Sequence, residues 1–336
     1  MKAALYEGKE TIRIVDIPKP VPKAGEVLVK IKYAGICGSD LEGYKTGLYP
    51  VPVVMGHEAC GVIEELGPDV KKWKVGNRVS INPIMPCGKC YWCLKGYTNI
   101  CESEFEGFGI YKNGGFTEYA TVPASSLITL PDTIPNKHGT VFDQIATGLL
   151  AVREGPFITG ESAVVLGLGT IGQFLMQILK ISGARKLIVI EKNKHRLEVA
   201  KKFNPDIALN KTILGKVKGA TERRGADFVF ECTGRPAAIN ATSSLVRKGG
   251  TVVQVGVSDT PFEISYLPFI MNHNKIQCVF TYHQKDFEYA VELVAKKLID
   301  PEPIVTKIIS LDDIVEEGFQ EAINPDTKEI KIIVEP

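Results

Sequence analysis

The stretch from Ser162 to Glu191 leaves this chain the least freedom. The apolar run Ser162-Ala163-Val164-Val165-Leu166 passes straight into Gly167-Leu168-Gly169-Thr170-Ile171-Gly172. Ile171, Leu175, Ile178 and Leu179 then recur at helical spacing, Gly183 supplies a stop, and a second apolar run from Lys186 to Ile190 ends at Glu191. Strand, glycine turn, helix and strand in that order make a βαβ unit with parallel strands. A GxGxxG match alone is weak, but in this context, with an acid closing the second strand, it is specific. Gly167 permits the tight turn, Gly169 lets backbone N–H groups reach a pyrophosphate, and Gly172 lets helix and strand pack closely. Thr170 and Ile171 open the helix whose N-terminus faces the phosphate charge. Glu191 would accept hydrogen bonds from both ribose hydroxyls of NAD and repel the extra phosphate of NADP. Lys192, Lys194 and Arg196 follow and soften that repulsion, so NAD is the expected cofactor, Arg196 is grouped with its contacts, and NADP is the alternative. The plain alternative for Glu191 is a surface charge at a strand end.

Further βα units follow. Asp227 to Glu231 runs into the Cys232-Thr233-Gly234 turn, and Thr251 to Gly256 and Ile276 to Tyr282 read as two more strands. Six strands are the complement of a doubly wound parallel sheet, an α/β fold of the Rossmann type. Turns at the strand ends, with Thr233, Val255, Val257 and Phe280, are expected to line the cofactor groove. From about Lys285 a helix carries Phe287, Val291, Val294 and Leu298 on one face. The closing strand, Ile330 to Val334, is expected to return to the N-terminal part of the chain.

At 336 residues two domains are the natural expectation. Residues 1 to about 160 read as β-rich, with Val27, Val29 and Ile31 alternating onto one buried face, and with prolines and glycines too frequent between residues 20 and 90 for long helices. A small, partly open barrel suits that pattern. The expected division is 1–150, then 151–284 for the dinucleotide domain, then 285–336 returning to the first, with the cleft between them as the active site.

Composition narrows the partners. With 40 basic against 39 acidic residues, the chain has no overall attraction for nucleic acid or an anionic membrane, so small molecules are the expected ligands. No segment reaches the ~20 apolar residues of a membrane span. Glu7, Lys9 and Glu10 interrupt any secretory core near the N-terminus. A cytoplasmic location is therefore expected, and there the eight cysteines are thiols or metal ligands rather than disulfides.

Their spacing is informative. Cys87, Cys90 and Cys93 repeat at two-residue gaps, and Cys101 follows after seven residues. Four thiolates at this spacing close a tetrahedral cage around Zn²⁺ with no open position, which makes the site structural. An iron–sulfur cluster is the alternative, but the fourth cysteine lacks the spacing and proline of ferredoxins. Cys37 in Ala-Gly-Ile-Cys-Gly-Ser-Asp and His57 in Gly-His-Glu are zinc-type ligands set beside glycines. They read as part of a second site.

The segments AGICGSD (34–40), GHEACGVIEELG (56–67), CGKCYWCLKGYTNIC (87–101), GGFTEY (114–119), GLGTIG (167–172) and ECTG (231–234) together resemble the zinc-dependent medium-chain dehydrogenases, which act on alcohols, polyols, sugars and threonine. The resemblance spans essentially the whole chain. It implies a GroES-like catalytic domain around a Rossmann domain, association as dimers or tetramers, and both catalytic and structural zinc. Cys37 and His57 resemble the first two ligands of the catalytic zinc, Asp40 the acceptor that holds the His57 ring, and Glu58 the acid beside the metal. Asp143 resembles the aspartate ligand of some secondary-alcohol dehydrogenases, where sugar and polyol members often carry Glu-Pro-Leu. Its plain alternative is a helix cap near Phe142.

Ser39 resembles the hydroxyl that takes the substrate proton before hydride leaves for the nicotinamide, its plain alternative being a turn serine. Glu42 stands where many members place a relay histidine, so it either passes the proton or binds a polyhydroxylated substrate, or is an exposed loop carboxylate. Substrate choice is expected from side chains around Tyr44 to Tyr49, Phe105 to Tyr111 and Phe280 to His283. The implied activity is oxidation of a secondary hydroxyl of a polyol, sugar or related alcohol, with L-threonine 3-dehydrogenase or a simple secondary-alcohol dehydrogenase as the near alternatives. A non-catalytic zinc-containing NAD-binding protein is the alternative of another class.

Overall fold

The computed structural model of the protein describes residues 1–103, 107–258 and 261–336, so Phe105 lies outside the described residues. The chain forms two compact units, Met1–Asp143 with His283–Pro336, and Gln144–Tyr282. The first unit ends at Asp143 rather than near residue 150 and resumes at His283.

The first unit is organised on the strand Glu26–Gly35. One edge pairs antiparallel with Glu58–Leu66 in a register that sets Gly35 opposite Glu58. The other edge is shared, with Tyr119–Pro123 alongside Glu26 to Lys30 and the C-terminal strand Lys331–Glu335 alongside Ala34 and Gly35. Val27, Val29 and Ile31 are buried as alternation predicts, but Leu28 on the opposite face is buried too. Both faces are covered there, which a two-residue period cannot reveal. Tyr6, Phe108, Phe116 and Phe319 fill the core between this sheet and a smaller sheet of Thr11–Asp16, Lys2–Gly8 and Val53–Val54.

In the second unit six parallel strands lie in the order Ile207–Leu209, Lys186–Ile190, Ser162–Leu166, Ala226–Glu231, Val246–Gln254, Lys275–Cys278. In chain order that is third, second, first, fourth, fifth, sixth. The order reverses beside Ser162–Leu166, and a crevice opens at the C-terminal ends of strands at such a switch point. Gly167 is the residue placed there. The helix Thr170–Ile181 is buried on nearly every side from Gly172 to Leu179, so Gln173 and Gln177 are interior residues rather than a polar face. Gln173 Nε2 donates to the Arg196 carbonyl at 2.8 Å.

Three details differ from the sequence expectation. The sixth strand stops at Cys278, leaving Phe280 to Tyr282 beyond it. The helix Gln284–Ala295 buries Phe287, Val291 and Val294, but ends before Leu298, which is half exposed. The last strand starts at Lys331, not Ile330. No helix among the described residues is long and apolar enough to cross a membrane.

One carboxylate ties the second sheet together. Asp227 accepts from the Ser162 backbone at 2.8 Å and hydroxyl at 2.6 Å, and pairs with Arg247. Burial opposes its charge, but the Ser162 hydroxyl and the Arg247 guanidinium outweigh that and hold it below the ordinary aspartate value. A carboxyl depressed on folding stabilises fully above its unfolded value, near pH ~4, and loses that contribution as pH falls through the folded value. Asp227→Asn should therefore lower neutral-pH stability by about 1–3 kcal/mol, with the difference from wild type shrinking in acid, as measured by urea unfolding at several pH values.

Candidate active site

The antiparallel ladder between Glu26–Gly35 and Glu58–Leu66 ends at the pair Gly35 and Glu58. Cys37, two residues past one strand, and His57, one residue before the other, consequently emerge side by side. Cys37, His57 and Glu58 offer donor atoms that all lie within 4.8 Å of one another. His57 and Glu58 are buried and Cys37 is partly so.

Asp40, fully buried, lies in the first turn of the helix Gly38–Thr46 and accepts from the Cys37 backbone N–H at 3.0 Å. Its second oxygen stands 3.3 Å from His57 Nδ1, and His57 Nε2 lies 3.9 Å from Glu58. Asp40 is thus placed to fix the ring with Nε2 turned toward the acidic side. Burial disfavours a charge on His57, yet Asp40 and the Cys37 sulfur outweigh it and hold its pKa well above the ordinary value. Burial, reinforced by Glu58, pushes the Cys37 thiol up. Burial also raises Glu58, with Lys331 and His57 opposing and Asp143 adding to the rise. Anionic donors this crowded and this buried fit a divalent cation better than they fit one another.

Asp143 sits in the first turn of the helix Phe142–Glu154, electrostatically coupled to Glu58. The compact donor cluster contains Glu58, not Asp143. Ser39 is exposed beside this cluster, and Glu42 lies half-buried on the helix Gly38–Thr46 rather than in a loop.

Tyr49 was expected only as part of the substrate-facing stretch Tyr44 to Tyr49, and Lys331 escaped the sequence reading altogether. The Tyr49 hydroxyl is buried next to Ser39, and its ring stands 2.9 Å from where a Cβ on Gly43 would lie. Lys331 reaches in from the C-terminal strand to Glu58. A lone lysine in the apolar run Ile330 to Val334 was the available signal for Lys331.

Cys87, Cys90, Cys93 and Cys101 form the other donor cluster, again with sulfur atoms within 4.8 Å. Backbone N–H groups of Cys87, Cys90 and Cys93 donate to the sulfurs of Cys101, Cys87 and Cys90 at 3.3, 3.3 and 3.4 Å. Such bonds favour thiolates. Burial would raise Cys101, but the Cys87 N–H and the Ser103 hydroxyl outweigh it and bring its pKa to about 6. Hydrogen bonds from the Glu102 and Cys93 backbones lower Cys90, whereas burial and the neighbouring Cys90 push Cys93 up to about 12. Two thiols prepared to ionise and all four converging without a disulfide fit a zinc cage. Tyr97 stacks edge-on against His283 at 5.3 Å, and Thr98 accepts from the Gln284 N–H, so this lobe rests on the start of the helix Gln284–Ala295.

In the second unit Gly167 has φ +94° and would clash through a Cβ with Thr233, while a Cβ on Gly172 would overlap the Gly167 carbonyl. A Cβ on Gly169 would meet nothing within 4 Å. That vacant approach to backbone N–H groups at the start of the helix Thr170–Ile181 fits a pyrophosphate. Glu191 spans the turn, accepting from Leu168 N–H at 2.6 Å and Asn193 N–H at 2.8 Å. A carboxylate has about four lone-pair sites, so each oxygen keeps one for a ribose hydroxyl. Arg196 lies in the first turn of the helix Lys194–Lys201, and its buried Nε has no partner among the described residues. Glu231, which no functional reading had singled out, is fully buried and accepts from Thr233, Gly234 and Gln254, shaping the Thr233 turn. Val255 packs into the core, while Val257 and Phe280 are exposed.

Family models describe residues 23–132 as an alcohol dehydrogenase GroES-like domain and residues 170–296 as a zinc-binding dehydrogenase. The chain is 30% identical to the sorbitol dehydrogenase of Bacillus subtilis, over 100% of this chain and 97% of that protein. The chain belongs to the zinc-type alcohol dehydrogenase family. It is an oxidoreductase acting on CH–OH donors. Identity is also 30% to the L-threonine 3-dehydrogenase of Shewanella baltica, over 95% of each chain. The crystal structure of 2R,3R-butanediol dehydrogenase from Bacillus subtilis superposes with a TM-score of 0.90 at 30% identity, covering 100% of this chain and 99% of that one.

For a dehydrogenase of this family the two donor clusters make a stoichiometric prediction. Elemental analysis should find one zinc ion for each cluster, and Cys90→Ser should lose one of them with a fall in melting temperature. Full zinc content in Cys90→Ser would contradict the structural cage.

Proposed function

We propose that this dehydrogenase oxidises a secondary hydroxyl of a polyol, sugar or related alcohol to a ketone, with NAD as hydride acceptor. The observation that carries the reading is the buried cluster of Cys37, His57 and Glu58 with the exposed Ser39 hydroxyl beside it. Cys37, His57 and Asp143 are the proposed zinc ligands, with Glu58 as the nearby acid. Zinc, when bound there, supplies the Lewis acidity that eases ionisation of the substrate hydroxyl.

The chain's own residues do the rest. Asp40 holds the His57 ring, and Ser39 accepts the substrate proton. Glu42 hydrogen-bonds a polyhydroxylated substrate or passes the proton onward. Gly167, Gly169, Thr170 and Ile171 receive the cofactor pyrophosphate, and Glu191 selects the unphosphorylated ribose. Sorbitol, 2,3-butanediol and L-threonine each carry a secondary hydroxyl, which supports the substrate class. Threonine oxidation is the second reading, and the likeness to the Shewanella enzyme favours it.

The protein is also proposed to be a homodimer or homotetramer. The strand Lys275–Cys278 is one edge of the six-stranded sheet, and Tyr266, Leu267, Ile270, Met271 and Ile276 are exposed around it. An edge unpaired among the described residues and fringed with apolar side chains is suited to a second copy. Sedimentation should show an oligomer that Ile270→Glu with Ile276→Lys converts to monomer.

A spectrophotometric panel of polyols, aldoses, sugar acids, L-threonine and simple secondary alcohols, with NAD and NADP, tests the reading. Turnover should favour polyols or sugars with NAD and vanish on chelation. Turnover confined to L-threonine would establish the second reading, and activity surviving complete zinc removal would refute the mechanism. Glu42→Gln should weaken turnover of the best substrate by about 10-fold or more if it passes the proton.

A further inference from the structure

Lys331 is 2% exposed, and lysine is almost never buried without a partner. Its Nζ donates to the Ile36 carbonyl at 2.9 Å and to one oxygen of Glu58. The two side chains are 1% and 0% exposed. Glu58's other oxygen is 3.9 Å from His57 Nε2, on the side of the donor cluster. One buried carboxylate therefore stands between an ammonium group and the place where a cation fits.

The fold makes this arrangement deliberately. Lys331 opens the C-terminal strand, whose Ile333 lies opposite Gly35, and Gly35 lies opposite Glu58 on its other side. A Cβ on Gly35 would overlap both the Glu58 carboxylate and the Lys331 side chain. Glycine at this position leaves the room in which the pair meets.

Electrostatics gives the pair a task. Cys37, Asp40, Glu58 and Asp143 bring four acidic groups to one buried region, and a single divalent ion does not balance them all. Lys331 is the cation in contact with Glu58. A carboxylate shared in this way feels two attractions of the same kind, and weakening one strengthens its commitment to the other.

We propose that Lys331 is a positioning residue that sets how far Glu58 acts as a metal ligand. With Lys331 present, Glu58 is held back and the position it would occupy stays open to substrate. Without that ammonium group, Glu58 commits to the metal. This rests on the reading of Cys37 and His57 as ligands of the catalytic zinc.

The test uses the holoenzyme and the variants Lys331→Met, Lys331→Arg and Lys331→Met with Glu58→Gln. The first readout is the rate at which a chelator removes the zinc lost in Cys37→Ser. The second is the visible spectrum after cobalt replaces that zinc, which reports the number of ligands. Lys331→Met should release the metal about 10-fold more slowly and show the weaker cobalt bands of a higher coordination number. Lys331→Arg should restore wild-type behaviour, and the double variant, with no charge left on either side chain, should lose the slow release.

In kinetics Lys331→Met should raise KM more than it lowers kcat, because Glu58 then competes with substrate for the open position. Metal release as fast as wild type or faster in Lys331→Met, with an unchanged cobalt spectrum, would overturn the proposal and leave Lys331 a structural residue. If Lys331→Met does not fold, Lys331→Gln takes its place: release as fast as wild type with an unchanged cobalt spectrum in that variant would overturn it as well. If Cys37→Ser retains all its zinc, it is the ligand assignment beneath the proposal that fails.

Discussion

The register of one antiparallel ladder governs the catalytic unit. Because Gly35 pairs with Glu58, Cys37 and His57 leave adjacent strand ends and converge, although twenty residues separate them in sequence. A slip of one residue would turn every side chain of the partner strand to the opposite face. It would also remove Glu58 from Lys331 and His57 from Asp40. The buried residues Val27, Val29 and Ile31 hold that register against the core. Packing in the sheet and chemistry at its end are therefore one constraint.

A helix start completes each half of the chemistry. In the first unit the helix Gly38–Thr46 opens immediately after Cys37, and its first turn supplies Ser39 and Asp40. In the second the helix Thr170–Ile181 opens immediately after the glycine turn. Backbone N–H groups at such ends have no partner within the helix. Asp40 satisfies one of these donors in the first case, at Cys37. At Gly169 the approach is left free, and phosphate is the group such an end attracts.

Buried charge explains the remaining organisation. Asp40, Glu58 and Lys331 are nearly inaccessible to water, and buried ions are costly unless paired. Asp40 faces a histidine, Lys331 faces Glu58, and the cysteine sulfur stands among them. Glu231 follows the same rule in the second unit, where three donors meet one hidden carboxylate and thereby mould the Thr233 turn. Polar groups of this kind specify geometry because few arrangements satisfy them all.

Much of this was legible in the chain itself. The glycine turn, its flanking strands and helix, Glu191, and the four-cysteine lobe are local patterns, carried by residues close in sequence, and the strands Ser162–Leu166 and Lys186–Ile190 run where their apolar runs do. Residue type beside glycines also marked Cys37 and His57 as candidate ligands. Sequence could not tell that Glu58 would join Cys37 and His57 in one compact donor cluster, that Lys331 would cross from the far end of the chain to meet it, or that Tyr49 would lie over Gly43 beside Ser39. Those contacts join residues whose separation along the chain carries no period and no motif. They were decided by sheet register and by space left at glycines, which exist only once the chain has folded.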